Sequence, residues 1–108
     1  MDAAELLRYQ LDDGTFQLRA CFEPMGDAQL DTPCSPQGMT PRDTAVHLCE
    51  CYEAFLASAG GRKHKWGTYA IADTSKSNLM TILWDTRGRA VEAAIADEAN
   101  FKHAHAFM

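Results

Sequence analysis

The stretch that decides the fold reads Met39-Thr40-Pro41-Arg42-Asp43-Thr44-Ala45-Val46-His47-Leu48-Cys49-Glu50-Cys51-Tyr52. Its opening predicts a helix, because Thr40 can cap the first turn, Pro41 suits the first helical position and Asp43 lies near the positive end of the helix dipole. Apolar residues then recur at helical spacing, and Gly60-Gly61 supplies a left-handed stop. The apolar stripe consists of Ala45, Leu48, Cys49, Tyr52, Phe55, Leu56 and Ala59.

A helix is also predicted before this one, from about Asp2 to Met25. Its apolar residues, again at helical spacing, are Leu7, Leu11, Leu18, Cys21, Phe22 and Met25. Asp12-Asp13-Gly14 interrupts the middle, and a glycine weakens a helix by about 1 kcal/mol relative to alanine. We predict one continuous helix rather than a break, because Gly14 lies on the apolar stripe and would let another helix approach closely.

A third helix is predicted from about Ser75 to Ala96, with capping oxygens on Thr74, Ser75 and Ser77 at its start. Gly88 lies inside this helix and is a second candidate for a close helix approach. The apolar stripe consists of Leu79, Ile82, Leu83, Thr86, Ala90, Ala94 and Ile95, with Val91 at its edge.

The connections between these helices are predicted to be irregular. Residues 26–38 contain Pro33 and Pro36, and proline removes a backbone donor and fixes φ, so no regular element is expected there. In residues 62–74, Trp66 and Tyr69 are expected to pack over one end of the bundle as a lid, with stacking on a ligand as the alternative. No strand pair stands out. The sequence therefore predicts a single all-α domain over residues 1–108 with antiparallel neighbouring helices.

The composition limits the classes of function. The formal net charge of -5 argues against nucleic acid as the main partner, because phosphate neutralisation needs a basic face. The one basic cluster, Arg62-Lys63-His64-Lys65, is expected to be a solvated loop rather than an anion site. No apolar run approaches the roughly 18 residues of a membrane span, and the acidic N-terminus lacks the basic region of a signal peptide. The expected location is the cytoplasm.

His47 is the first candidate for chemistry, because it lies at the flank of the apolar stripe and helical bundles hold metals with inward-facing side chains. Cys51 follows at i+4 on the same face, so the two side chains could supply two metal ligands from one helix. The alternatives are a surface or core histidine, and a cysteine that is a small apolar residue at the edge of the stripe. Zinc or nickel would need two or three donors besides His47.

Four cysteines are present, and reduced thiols are expected in a cytoplasmic protein. A redox role for Cys49 and Cys51 is disfavoured. Reactive thiols need nearby cations, whereas Glu50 and Glu53 supply negative charge from faces that we expect to be solvated.

His103 and His105 form a second histidine pair near the C-terminus. In a helix they would diverge by roughly 200°, so only one could join an interior site, and His105 is taken as a further candidate ligand. The alternative is an exposed terminus. Residues 96–108 read as a helix that is only beginning, and three helices with a short fourth make a poor closed bundle. A partner is expected to complete it.

The stretch from Met39 to Tyr52 resembles the second helix of the DinB-like (YfiT-like) four-helix-bundle superfamily. The segments Leu6-Leu7-Arg8-Tyr9-Gln10-Leu11 and Ala28-Gln29-Leu30-Asp31, and the Trp66 loop before a third helix, are also similar to it, so the resemblance covers nearly the whole chain. In that family a histidine followed by leucine on this helix is commonly the first metal ligand, and His47 matches it. The family's other two ligands are histidines about a helical turn apart in the last helix. They have no counterpart here, because His103-Ala104-His105 has the wrong spacing.

The resemblance implies an antiparallel four-helix bundle, often dimeric. Family members with known activity include metal-dependent transferases that use low-molecular-weight thiols, and related isomerases. For this chain it implies three long helices with a short or truncated fourth, and a divalent metal such as zinc or nickel near His47. The sequence does not decide whether the chain is an enzyme, and it names no substrate.

Two functions from different classes are predicted. The first is a metal-binding relative of the thiol-dependent transferases, with an incomplete histidine triad. The second is a non-catalytic helical module that works by assembling. In that case a homodimer, or another helical partner, would cover the apolar face left open by the missing helix.

Overall fold

The structure is a computed structural model that describes residues 2–96 of the chain. Within that range the regular secondary structure is entirely α-helical. The helices are α1 (Ala3–Phe22), α2 (Asp27–Leu30), α3 (Pro41–Ala59) and α4 (Lys76–Ala96). The predicted all-α class and its three long helices are therefore confirmed for these residues. The predicted start of a last helix, with His103 and His105, lies outside the described residues.

The first helix is continuous through Gly14, as predicted, and ends at Phe22 rather than Met25. Asp2 caps its start, because the carboxylate accepts the backbone N–H of Glu5 at 2.8 Å. The buried residues of α1 are Leu7, Leu11 and Phe22. The predicted burial of Cys21 is wrong, since this side chain is exposed.

Both ends of α3 follow the local sequence signals. Thr40 Oγ1 accepts the N–H of Asp43 at 3.1 Å, and Pro41 is the first helical residue. At the other end Gly61 has a φ of +74°, which a residue with a side chain rarely adopts. The N–H of Gly61 donates to Ser58 O at 3.1 Å and that of Arg62 donates to Ala57 O at 2.7 Å. These two bonds form a Schellman motif that ends the helix.

The connection between α1 and α3 contains a helix, so the prediction of no regular element there is wrong. The four residues of α2 precede both prolines of the segment. The Gln29 side chain accepts the N–H of Gly26 at 2.9 Å, which satisfies a donor at the helix start, and Leu30 is completely buried. Arg42 of α3 donates to the carboxylates of Asp27 and Asp31, and these contacts fix the short helix against α3.

The long helices α3 and α4 are parallel, so the prediction of antiparallel neighbours is wrong for this pair. Arg42 at the start of α3 donates to Thr74 O just before α4, at 2.5 Å. Further along both helices, Arg89 Nη2 donates to Glu53 Oε1 at 2.9 Å. An extended chain spans up to about 3.3 Å per residue and a helix rises about 1.5 Å per residue. Residues 60–75 can therefore return along the whole of α3 before α4 begins.

The first helix runs antiparallel to α4, as predicted. Arg8 near the start of α1 pairs with Glu92 near the end of α4 at 2.8 Å. At the other end, Lys76 Nζ donates to Glu23 O at 2.6 Å. Because α4 packs against both α3 and α1, it is the central helix and the core lies along it. None of the helices in residues 2–96 is long and apolar enough to cross a membrane.

The core of α3 and α4 follows the predicted stripes closely. The buried members of the predicted stripes are Ala45, Cys49, Tyr52, Phe55, Leu79, Leu83, Thr86, Ala90, Val91 and Ala94. Ala54 and Met80 are also buried, although the predicted stripes did not include them. The sequence did not predict Arg87, which is only 4% exposed. Its guanidinium donates to Thr15 Oγ1 at 2.7 Å, to Tyr52 Oη at 2.7 Å and to Leu11 O at 3.0 Å. This network joins the three long helices through polar contacts inside the core.

The two glycines predicted to mark close approaches differ. A Cβ on Gly14 would lie 2.8 Å from Arg87 Nη2, so Gly14 makes room for the end of a side chain rather than for the close approach of a helix. A Cβ on Gly88 would meet no atom of residues 2–96 within 4 Å. Within the described residues, therefore, no helix approaches Gly88 closely.

Candidate functional site

His47 and Cys51 are brought together on α3 by the four-residue helical spacing. Cys51 Sγ lies 3.6 Å from His47 Nε2. His47 is exposed and Cys51 is half-buried, so the pair lies where the helix meets solvent. The two ligands predicted from one helix are thus adjacent.

The distance between the two donor atoms agrees with a shared zinc ion. Zinc–nitrogen bonds of about 2.0–2.1 Å and zinc–sulfur bonds of about 2.3 Å, at a tetrahedral angle, place the two donors about 3.6 Å apart. The same distance also allows a hydrogen bond between the thiol and the imidazole. Burial, and secondarily the charge of Glu50, raises the pKa of the Cys51 thiol. A metal would therefore have to displace the thiol proton.

The prediction that Glu50 lies on a solvated face of the helix is wrong. Its side chain is 14% exposed, and its Oε2 accepts from His64 Nε2 at 2.9 Å and from the Gly67 N–H at 3.2 Å. The carboxylate can only accept, so the imidazole carries its proton on Nε2. The hydrogen bond from His64 holds the pKa of Glu50 below its usual range against the opposing effect of burial. Glu50 thus anchors the returning loop to α3.

Trp66 lies between the two histidines. Its ring is 4.8 Å from that of His64 in an edge-on contact, and 6.5 Å from that of His47. The side chain is 53% exposed, so the prediction that it forms a lid over the core is wrong. Tyr69, by contrast, packs against the core as predicted, and burial raises its pKa to about 12.

The four cysteines are free thiols. Cys49 is completely buried, and its pKa rises to about 11 because of that burial. The pKa of Cys51 is raised for the same reason. Both thiols are thus held in the protonated form, which is the opposite of what a reactive thiolate requires.

A complete metal centre is not assembled within residues 2–96. In that part of the chain no group of three or more histidine, cysteine or acidic side chains is arranged to hold a metal ion. His105, the third predicted ligand, lies outside the described residues, as does His103. The structure therefore brings together two of the three predicted ligands, His47 and Cys51.

Glu50, His64 and Trp66 are neighbours of this pair that the sequence did not predict. Glu50 is three residues after His47, and so shares its side of the helix. The contact with His64 depends on the turn at Gly60-Gly61, which sends the loop back along α3. A sharp helix stop followed by a long connection was the available signal for this contact.

Comparison with known proteins identifies no relative of this chain. No family model matches it, no curated protein matches it, and no solved structure matches it. The resemblance to DinB-like bundles therefore stands on the quoted residues alone and stays a prediction.

Proposed function

We propose that this chain is a divalent-metal-binding helical protein of DinB-like type in which His47 and Cys51 are two of the ligands. The observation that carries the proposal is the separation of 3.6 Å between Cys51 Sγ and His47 Nε2, which fits the edge of a tetrahedral zinc site. An imidazole with a thiolate suits zinc or nickel better than magnesium or calcium.

The remaining ligands would come from water, from His103 or His105, or from a partner chain. A bound zinc ion with open positions would favour the thiolate form of a low-molecular-weight thiol, the chemistry that thiol-dependent transferases use. Glu50 and His64 would position the loop beside the metal, and Trp66 would shield one side of it.

The proposal predicts that zinc or nickel stabilises the protein when it is purified without a histidine tag. A ligand of the native state at about a hundred times its dissociation constant adds roughly 2.7 kcal/mol, so the melting temperature should rise measurably. Cobalt should give a sulfur-to-metal charge-transfer absorption. His47→Ala and Cys51→Ser should abolish both signals, whereas Cys21→Ser, which alters an exposed thiol elsewhere, should leave them intact.

The pH dependence provides a second readout of the same site. Metal binding displaces the Cys51 proton, so the apparent affinity should rise by about tenfold per pH unit through the neutral range. A melting temperature that ignores both metals, or a charge-transfer band that survives Cys51→Ser, would contradict the proposal.

A second candidate function, a helical interaction module, is favoured by the surface of α1. Leu6, Tyr9 and Phe16 share one side of this helix, and each is at least 48% exposed. This side is opposite the buried face formed by Leu7 and Leu11. Large apolar side chains that share an exposed face are typical of interfaces between proteins.

If the chain is a helical interaction module, we expect a homodimer at micromolar concentration, which light scattering would detect. Tyr9→Lys with Phe16→Lys should shift the protein to a monomer, because two charges would have to be buried at the interface. Met39→Lys is the control, since Met39 is exposed but lies outside α1. A wild-type monomer would eliminate the homodimer.

A further inference from the structure

The basic charge of the described residues is unevenly distributed. Arg8, Arg19, Arg42 and Arg89 form ion pairs with carboxylates. Arg62, Lys63 and Lys65 are exposed and form no ion pair within residues 2–96. Lys76, which donates to Glu23 O, also pairs with no carboxylate of the described residues, but residues 62–65 hold three such cations within four positions of an acidic chain.

Hydrogen bonds to α3 hold the segment of residues 62–65 in place. The N–H of Arg62 is held by Ala57 O in the Schellman motif, and the His64 ring is held by Glu50 at 2.9 Å. With its middle fixed inward, the segment displays its cations outward. A site whose backbone is already held loses less entropy when it binds a ligand.

A groove that is open to solvent lies beside the segment, with a volume of about 440 Å³. Its lining includes Ala54 and Ser58 of α3, and Arg62, Lys63, His64 and Trp66 of the loop that follows. No carboxylate of residues 2–96 lines it, whereas a second groove, which shares Arg62, Lys63 and His64 with it, also includes Glu53. The cations, a hydroxyl and an exposed indole thus share one concave surface.

We propose that this groove binds a small phosphate-bearing ligand with a planar ring, of the nucleotide class. Arg62 and Lys63 provide charge-assisted hydrogen bonds to the phosphate, and Trp66 provides a stacking surface for the ring. The protein has a net charge of -5, so it repels a long polyanion, which would contact much of its surface. A small ligand that enters only the groove is repelled less. The segment predicted to be only a solvated loop is thus assigned a ligand site.

Fluorescence titration in a Trp84→Phe background tests the proposal, because Trp66 is then the remaining indole. The probes are adenosine monophosphate, inorganic phosphate and adenosine, each with a chelator present so that the result is independent of the metal proposal. The monophosphate should quench Trp66 saturably, and phosphate or adenosine alone should bind at least about tenfold more weakly. Added salt should weaken binding of the monophosphate.

Variants then assign the contacts by calorimetry. Arg62→Gln and Lys63→Gln should each weaken binding of the monophosphate by about fivefold. Trp66→Leu should weaken it by about five- to a hundredfold. Lys65→Gln is the matched control, because Lys65 is in the same segment but does not line this groove. Thermal melting verifies that every variant is folded.

Three results would overturn the assignment. The first is the absence of saturable quenching by the monophosphate. The second is an equal loss of affinity in Lys65→Gln and Lys63→Gln, which would indicate a general charge effect rather than a site. The third is inorganic phosphate binding as tightly as the monophosphate, which would remove the role of Trp66.

Discussion

Replacement of Arg87 by alanine is expected to lower the free energy of unfolding by about 3–5 kcal/mol, measured by urea denaturation. Arg87 is 4% exposed and donates to Thr15, to Tyr52 and to the carbonyl of Leu11. Truncation would empty the space between the three long helices and take the Arg87 donor from the buried Tyr52 hydroxyl, whereas Leu11 O would still accept from Thr15 Oγ1. Each buried group left unsatisfied costs about 1–3 kcal/mol.

Two further variants distinguish the loss of the buried network from the loss of a positive charge as the cause of this destabilisation. Arg89→Ala removes a guanidinium two residues further along α4, where it is half-exposed and pairs with Glu53 and Asp85. Its cost should stay below about 1 kcal/mol, as for other surface ion pairs. Arg87→Met should cost less than Arg87→Ala, because the methionine refills much of the space. Equal losses in Arg87→Ala and Arg89→Ala would refute the role of the buried network.

The burial of Arg87 illustrates what the sequence could not show. The residue is four positions after Leu83 and three before Ala90, so it lies beside the predicted stripe of α4. Its charge by itself favours an exposed position, since a buried charge is costly unless it is hydrogen-bonded. The acceptors whose hydrogen bonds offset this cost belong to α1 and α3, which are distant from Arg87 along the chain. Tertiary structure alone brings them together.

The features that the sequence predicted correctly are local ones. The cap at Thr40, the stop at Gly60-Gly61 and the proximity of His47 and Cys51 all depend on residues within one or two helical turns. The all-α class follows from apolar spacing in the same way.

The direction of α4 and the contact of Glu50 with His64 both depend on the path of residues 60–75. This loop returns along α3 instead of turning directly into the next helix. Helix periodicity carries no information about that choice, because the same stripe on α4 can pack against α3 in either direction. The orientation was therefore predicted wrongly while the buried face was predicted well.

Gly14→Ala is expected to destabilise the protein by about 1–2 kcal/mol, although alanine is favoured over glycine in a helix by about 1 kcal/mol. The new methyl group would lie 2.8 Å from Arg87 Nη2. The guanidinium cannot move away without weakening its bonds to Tyr52 and Leu11. Gly88→Ala is the matched control on α4, where a Cβ meets no atom of residues 2–96 within 4 Å. It should stabilise by about 0.4–1 kcal/mol.

A double-mutant cycle tests the cause of the Gly14→Ala effect. In the Arg87→Ala background the obstructing guanidinium is gone, so the same change at Gly14 should become stabilising by about 0.5–1 kcal/mol. Gly88→Ala should keep its sign in both backgrounds, because a Cβ at Gly88 would lie within 4 Å of neither Thr15, Tyr52 nor Leu11, the described partners of Arg87. A Gly14→Ala loss that persists without the arginine would mean that the helix itself, and not the room it makes for Arg87, requires glycine at this position.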